Sequence, residues 1–254
     1  MKKSILLVLA SLFVISCSST VAKENTMEKT NKEKAVELLR VFETRSDKPI
    51  EYINPNKFNL YWRDTAIRIH GDATKMLQAQ FWLHWQSISA KSFTLNSKYL
   101  PILPSVFEKK LPITFAFSSP GNTPPYVMES MILSISAAQK SIQLCTPYFI
   151  PTDSFKTALL IAVSKGVDVS LMLPLKGDSS VVQAASLSFL KPFMERGMKV
   201  FLYEKGFIHA KTICIDGLLC YIGTTNLDSR SFLINFELSA VVLDKTIAQK
   251  LTNQ

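Results

Sequence analysis

Histidine and cysteine are scarce in this chain, and the scarcity narrows its chemistry. Only His70, His84 and His209 occur in 254 residues. The cysteines are Cys17, Cys145, Cys214 and Cys220, and no two have C-x-x-C spacing. Neither a zinc site nor any other metal or cofactor is therefore expected. Apart from Cys17, three cysteines remain, an odd number without framework spacing, which argues against a fold built on disulfides. All three lie in apolar, strand-like runs and read as small core residues. There is no short-period repeat, and no basic run interleaved with aromatics that would mark a groove for single-stranded nucleic acid. Acidic residues are outnumbered, 20 against 29 Lys and Arg, for a formal net charge of +9. Six of those charges fall on residues 49–254. The excess suits an anionic partner, phospholipid headgroup or nucleic acid, without choosing between them.

What is present is apolar bulk. Hydrophobic residues make up 47% of the chain and charged ones 19%, enough for one large domain or two small ones. The first residues, MKKSILLVLASLFVISCSS, have a basic start and an apolar run from Ile5 to Ile15. That run is short of the roughly 20 residues a membrane span needs. It ends in Val14-Ile15-Ser16-Cys17, which is similar to a bacterial lipoprotein signal with Cys17 as the lipidated residue. An ordinary signal peptide or a short uncleaved anchor are the alternatives. On the lipoprotein reading the domain sits on the extracytoplasmic side, associated with a membrane.

Residues 18–57 read largely as a Lys-, Glu- and Thr-rich linker. KFNLYWRDTAIRIHG then alternates like a strand, and DATKMLQAQFWLHW reads as a helix with Asp72 as N-cap. Prolines break residues 90–112. From Ile113 strand and helix alternate, with Gly166 and Gly197 as helix stops and Asp216-Gly217 as a turn between two strands. ELSAVVLD reads as the last strand. This rhythm predicts an α/β domain with a mixed, largely parallel sheet flanked by helices.

The chemistry concentrates in HAKTICIDGLLCYIGTTNLDSRS, which begins at His209. On a strand, His209 and Lys211 point to the same face. Asp216 has the other parity and sits at the strand end, placed to accept hydrogen bonds or balance charge. The turn returns the chain to Asn226 beside His209. Such a group suits a phosphodiester: the imidazole attacks phosphorus or moves a proton, while Lys211 and Asn226 hold the non-bridging oxygens. A lone histidine in an apolar strand is usually a satisfied core residue. A lysine two positions on weakens that reading, because a buried lysine needs a reason.

The joint spacing H-x-K-x4-D followed by G-x-x-N resembles the second H-K-D motif of the phospholipase D superfamily, and within it that of bacterial cardiolipin synthases. TPYFIPTDSFKTALLIAVSKGVDVSLMLP and YWRDTAIRIHGDATKMLQAQFWLHW resemble further segments of that family. The resemblance implies transfer of a phosphatidyl group between phosphatidylglycerol molecules through a phosphohistidine. It carries over His209, Lys211 and Asp216 as catalytic, Lys211 and Asn226 as phosphate-binding, and Gly223, Ser231 and Glu237 as supporting residues.

One departure matters. The family carries two such motifs, one histidine serving as nucleophile and the other as acid. No second motif is found upstream of Trp62. Neither His70 nor His84 has a lysine two residues on, and both read as structural or surface residues. The resemblance divides the chain into a signal segment at 1–17, a linker at 18–57, a partial preceding half-domain at 58–112, and a catalytic domain at 113–254 that is short at its carboxyl end. Three outcomes stay open: a homodimer that joins two half-sites, pairing with a full-length homologue, or an inactive lipid-binding fragment. A homodimeric phosphodiesterase or nuclease competes with the lipid reading, although nucleic acid is the less expected partner.

Overall fold

Alternation of apolar and polar residues sets the architecture. The computed structural model describes residues 17–20, 62–89, 94, 96, 110–120 and 124–253. The residues before Cys17, expected to be a signal segment, and nearly all of the expected linker lie outside them. In β4 (Ser141–Cys145), Ile142 and Leu144 are buried on one face, and Ser141, Gln143 and Cys145 turn to the other. The same period of two runs through β6 (Asp168–Pro174), β9 (Thr212–Ile215) and β12 (Glu237–Leu243), so both faces of one sheet carry apolar rows.

That sheet has eight strands. Its order is β1 (Cys17–Thr20), β3 (Lys110–Ser118), β12, β10 (Leu219–Gly223), β9, β4, β6 and β7 (Lys199–Tyr203). It is mixed, as expected, but its parallel part is smaller than the sequence rhythm suggested. Only β4–β6 and β6–β7 pair in parallel, and the other neighbours are antiparallel. The reason lies in the connections. The strands before β7 are separated by α2 (Tyr126–Ala137) and α3 (Asp153–Ser164), whereas β9 and β10 form a hairpin that reverses the chain.

One face of the sheet packs against α2 and α3. Ile135, Phe155 and Leu159 are fully buried there, against Ile142, Leu171, Ile213 and Tyr221. Burial of each such side chain contributes about 1.5–3 kcal/mol. Thr152 caps α3 by accepting from the Phe155 amide, and Gly166 ends it with a positive φ of 84° that a side chain would strain. The chain continues through α4 (Ser180–Ser188) and α5 (Lys191–Met194) to β7.

The opposite face packs against α1 (Ala73–Ile88) and α7 (Lys245–Thr252). Ala73, Ile247 and Ala248 are buried on Ile113, Cys214, Cys220, Ile222 and Val242. The sequence reading left residues 245–254 without an element, yet Asp244 caps α7 by accepting from the Thr246 and Ile247 amides at 2.9 Å. Asp72 does stand before α1, but its side chain pairs with Lys75 at 2.8 Å instead of capping the helix. Of the long strand expected around residues 58–71, two residues are strand among those described: β2 (Trp62–Arg63). The expected boundary at 112/113 falls inside β3, and residues 67–77 pack into the same core as β10 and β12.

Candidate active site

Two short parallel ladders assemble the site. β2 pairs with β8 (Phe207–Ile208) in the register Trp62↔Phe207 and Arg63↔Ile208. The His209 amide then donates to the Arg63 carbonyl at 2.7 Å. The second ladder joins β5 (Phe149–Ile150) to β11 (Leu227–Asp228), just after Asn226. The first ladder sets the next residue of each segment side by side. Asp64 and His209 meet there, with Asp64 Oδ2 2.8 Å from His209 Nδ1. Trp62 and Phe207 pack around the imidazole, at ring-centroid distances of 4.9 and 5.8 Å.

Burial works to raise the Asp64 carboxyl, but the hydrogen bond to His209 and the charges of Lys211 and His209 outweigh it. The carboxyl is held below its ordinary range and is ionised at neutral pH. An ionised acceptor at Nδ1 fixes the N–H there and leaves the lone pair on Nε2.

Lys211 was expected beside His209 on one strand. The two residues instead lie in the irregular stretch between β8 and β9, which begins at Thr212. They are still brought together: Lys211 Nζ donates to the His209 carbonyl, and its charge is felt at Asp64. Burial pushes the Lys211 ammonium down to about 8, against the pull of the Asp64, Glu237 and Asp228 carboxylates, which favour the charged form. Because this lies below the ordinary 10.5, the unfolded chain binds the extra proton between about pH 8 and 10.5. Folding stability from this group therefore rises with pH across that window. Denaturant midpoints at pH 8 and pH 10 should show a rise in the native chain that Lys211→Met removes. An equal rise in both would refute the burial of this charge.

Gly223 lies directly across from this stretch, its amide donating to the Lys211 carbonyl at 3.2 Å. A Cβ at Gly223 would stand 2.2 Å from the Leu238 carbonyl oxygen and 2.6 Å from the Ser239 Cα, so no side chain fits. The following residues tie this corner to β12. Thr224 Oγ1 donates to Glu237, and Asn235 Nδ2 donates to the other Glu237 oxygen at 3.1 Å. Asp228 accepts from the Ser231 amide at 2.7 Å and so caps α6 (Ser229–Leu233). The carboxamide oxygen of Asn226 and the hydroxyl of Ser231 are buried without a hydrogen-bond partner among the described residues.

Asp216, expected with His209 and Lys211, stands at the other end of β9. It lies beyond the last residue of that strand, roughly 16 Å of extended chain from Lys211. Its carboxylate accepts the amides of Gln139, Lys140 and Ser141 at 2.7 to 3.2 Å. Its own φ of 53° and that of Gly217, 61°, make the tight turn of the β9–β10 hairpin. Asp216 therefore holds the hairpin to the start of β4. Cys17 begins the edge strand β1, opposite Ile113. His84 accepts from Gln80 Nε2 at 2.8 Å within α1 and lies edge-on to Phe236. Burial and the charge of Arg68 push the His70 imidazole down.

Asp64 is the residue that motif reading passed over. Its signal was present: an acid inside an apolar, strand-like segment, in the parity opposite to Arg63.

Comparison with known proteins gives the family. Residues 131–254 match the family described as cardiolipin synthase, PLD-like domain. A cardiolipin synthase of Listeria monocytogenes serotype 4a is 39% identical over 202 residues, covering 79% of this chain and 42% of the relative. Cardiolipin synthase 2 of Staphylococcus epidermidis is also 39% identical, over 79% of this chain and 41% of its own length. The chain thus spans about two fifths of the curated relatives it matches. The solved structure of phosphatidylserine synthase from Haemophilus influenzae superposes with a TM-score of 0.55 at 13% identity, over 78% of this chain and 54% of that one, a likeness of fold. His209, Lys211 and Asn226 all lie within the matched region, and so the chain belongs to the phospholipase D superfamily, in the cardiolipin synthase group.

Proposed function

We propose that this chain supplies one histidine half-site for phosphatidyl transfer of the cardiolipin synthase type, and that a second half-site is provided in trans. The observation that carries the reading is the Asp64–His209 contact at 2.8 Å with the Lys211 ammonium beside it. His209 Nε2 attacks the phosphorus of phosphatidylglycerol. A P–N bond forms and the P–O bond to glycerol breaks. Lys211 and Asn226 balance the charge growing on the non-bridging oxygens. The leaving alkoxide takes a proton from the second half-site; a second phosphatidylglycerol hydroxyl then gives its proton back to that half-site as its oxygen displaces nitrogen from phosphorus, restoring His209. Asp64 keeps the imidazole in the productive tautomer throughout, the role a buried carboxylate plays in hydrolytic triads.

The basic excess favours an anionic membrane surface. We read the amino-terminal segment as the tether to it through Cys17. Among the described residues no helix is long and apolar enough to cross a membrane.

The test joins mass to turnover. Light scattering on the full chain gives the oligomeric state, and the same sample is assayed for glycerol release from phosphatidylglycerol vesicles. A dimer that turns over is the expected result. A monomer that stays inactive even when mixed with a full-length homologue would refute the transfer reading. A soluble nucleotide diester cleaved in preference to the lipid would move the assignment to a phosphodiesterase. In the active assembly the rate should fall as pH rises through about 8, where Lys211 loses its proton. Lys211→Arg should remove that limb, and a limb unchanged in the arginine variant would free Lys211 of the role.

A further inference from the structure

The segments that carry Asp64, His209 and Lys211 also line a cavity with their alternate residues. Its volume is about 180 Å³, on the order of ten times what one water needs. Arg63 and Thr65, which flank Asp64, line it, as do Ala210 and Thr212, which flank Lys211. The rest of its polar wall comes from Gln143, Ser170 and Thr252. Gln143 and Cys145 are on the face of β4 opposite Ile142 and Leu144, so the cavity lies on the α7 side of the sheet.

Arg63 is the feature that needs an explanation. It is only 7% exposed, and a buried charge is costly unless something balances it. Its guanidinium stands 5.7 Å from the centre of the Tyr203 ring, a contact that offsets part of that cost. Among the described residues no carboxylate forms an ion pair with it, and none lines the cavity. The nearby Cys145 does not serve, because burial pushes its thiol up to about 12 and keeps it neutral. A planar guanidinium with hydroxyls and an amide around it is the donor set for a phosphate oxyanion, which two of its N–H groups can hold in parallel.

We propose that this cavity is a second phosphate site, separate from the catalytic one, in which Arg63 holds the oxyanion of a free phosphate or of a phospholipid headgroup. Arg63 links this site to the catalytic one: its carbonyl accepts from the His209 amide, and its side chain lines the cavity. The proposal does not depend on turnover or on a second half-site.

The experiment uses the full chain in the Lys211→Ala background, where the cation on the catalytic side is gone. Inorganic phosphate and glycerophosphoglycerol, the water-soluble diester headgroup, are titrated calorimetrically at matched ionic strength. Binding should persist in Lys211→Ala and weaken about tenfold or more when Arg63→Gln is added. Ser170→Phe, which fills the cavity and leaves the guanidinium in place, should weaken it likewise and carries the test if Arg63→Gln does not fold. Binding of inorganic phosphate identifies the free ion as the ligand; binding of the diester alone identifies the headgroup. No binding of either probe in Lys211→Ala, or binding that survives both cavity variants, would overturn the proposal.

Discussion

Turnover in the assembled enzyme is expected to fall by at least about 10³-fold when His209 is replaced by alanine, since removing one member of a catalytic unit removes nearly all that the unit contributes. Asp64→Asn should cost about 10²–10⁴-fold, almost entirely in kcat. The asparagine keeps the size of the side chain and can still hydrogen-bond to Nδ1 at the observed 2.8 Å. With its amide as donor, however, it favours the tautomer whose lone pair is on Nδ1, the wrong nitrogen for attack. The substrate still binds, because Asp64 does not hold it, so KM should change little. Circular dichroism and oligomeric state should be unchanged in both variants. Full activity in Asp64→Asn would show that the contact is merely structural, and retained turnover in His209→Ala would remove the site assignment altogether.

The second large effect concerns stability. Gly223→Ala is expected to destabilise the fold by about 3 kcal/mol or more, read as a drop in denaturant midpoint at constant slope. The new methyl would meet the backbone of β12, with Leu238 O at 2.2 Å and Ser239 Cα at 2.6 Å, and a backbone carbonyl cannot rotate aside as a side chain would. Relief requires β10 and β12 to separate where five consecutive pairs join them. The damage would extend to the site, since the same glycine's amide holds the Lys211 carbonyl and the next residue holds Glu237. A loss below about 1 kcal/mol would mean that the sheet yields more easily than this packing allows. The motif glycine is thus explained by steric exclusion between strands and not by any freedom of its own backbone.

Residues joined by regular strands or helices were legible in the sequence; residues joined by very short ladders were not. The helices α2 and α3 and the strands β4, β6, β9, β10 and β12 follow from apolar periodicity, turn residues and glycine stops. The elements β2, β5, β8 and β11 are two residues each, too short for any period to register. Those ladders position Asp64 against His209 and bring the stretch after Asn226 to β5, so the acid–imidazole pair was out of reach of pattern reading. The H-x-K spacing pointed to His209 and Lys211, which the fold does bring together, although the strand expected from His209 starts three residues later, at Thr212. Asp216 shows the opposite case. Its place in the motif suggested chemistry, while its parity and strand-end position already pointed to the backbone amides it binds.

The Asp64–His209 pair joins residues 145 positions apart. During synthesis at about 5–20 residues per second, Asp64 is added to the chain roughly 7–29 s before its partner. The loop that the pair closes carries a chain-length penalty of about 4 kcal/mol, which the intervening sheet must offset before the contact can hold. The residues of α2, α3 and the parallel strands β4, β6 and β7 are all made while the Asp64 carboxylate still lacks its imidazole partner. His209 therefore meets the carboxylate that orients its imidazole only after every residue between the two has been made.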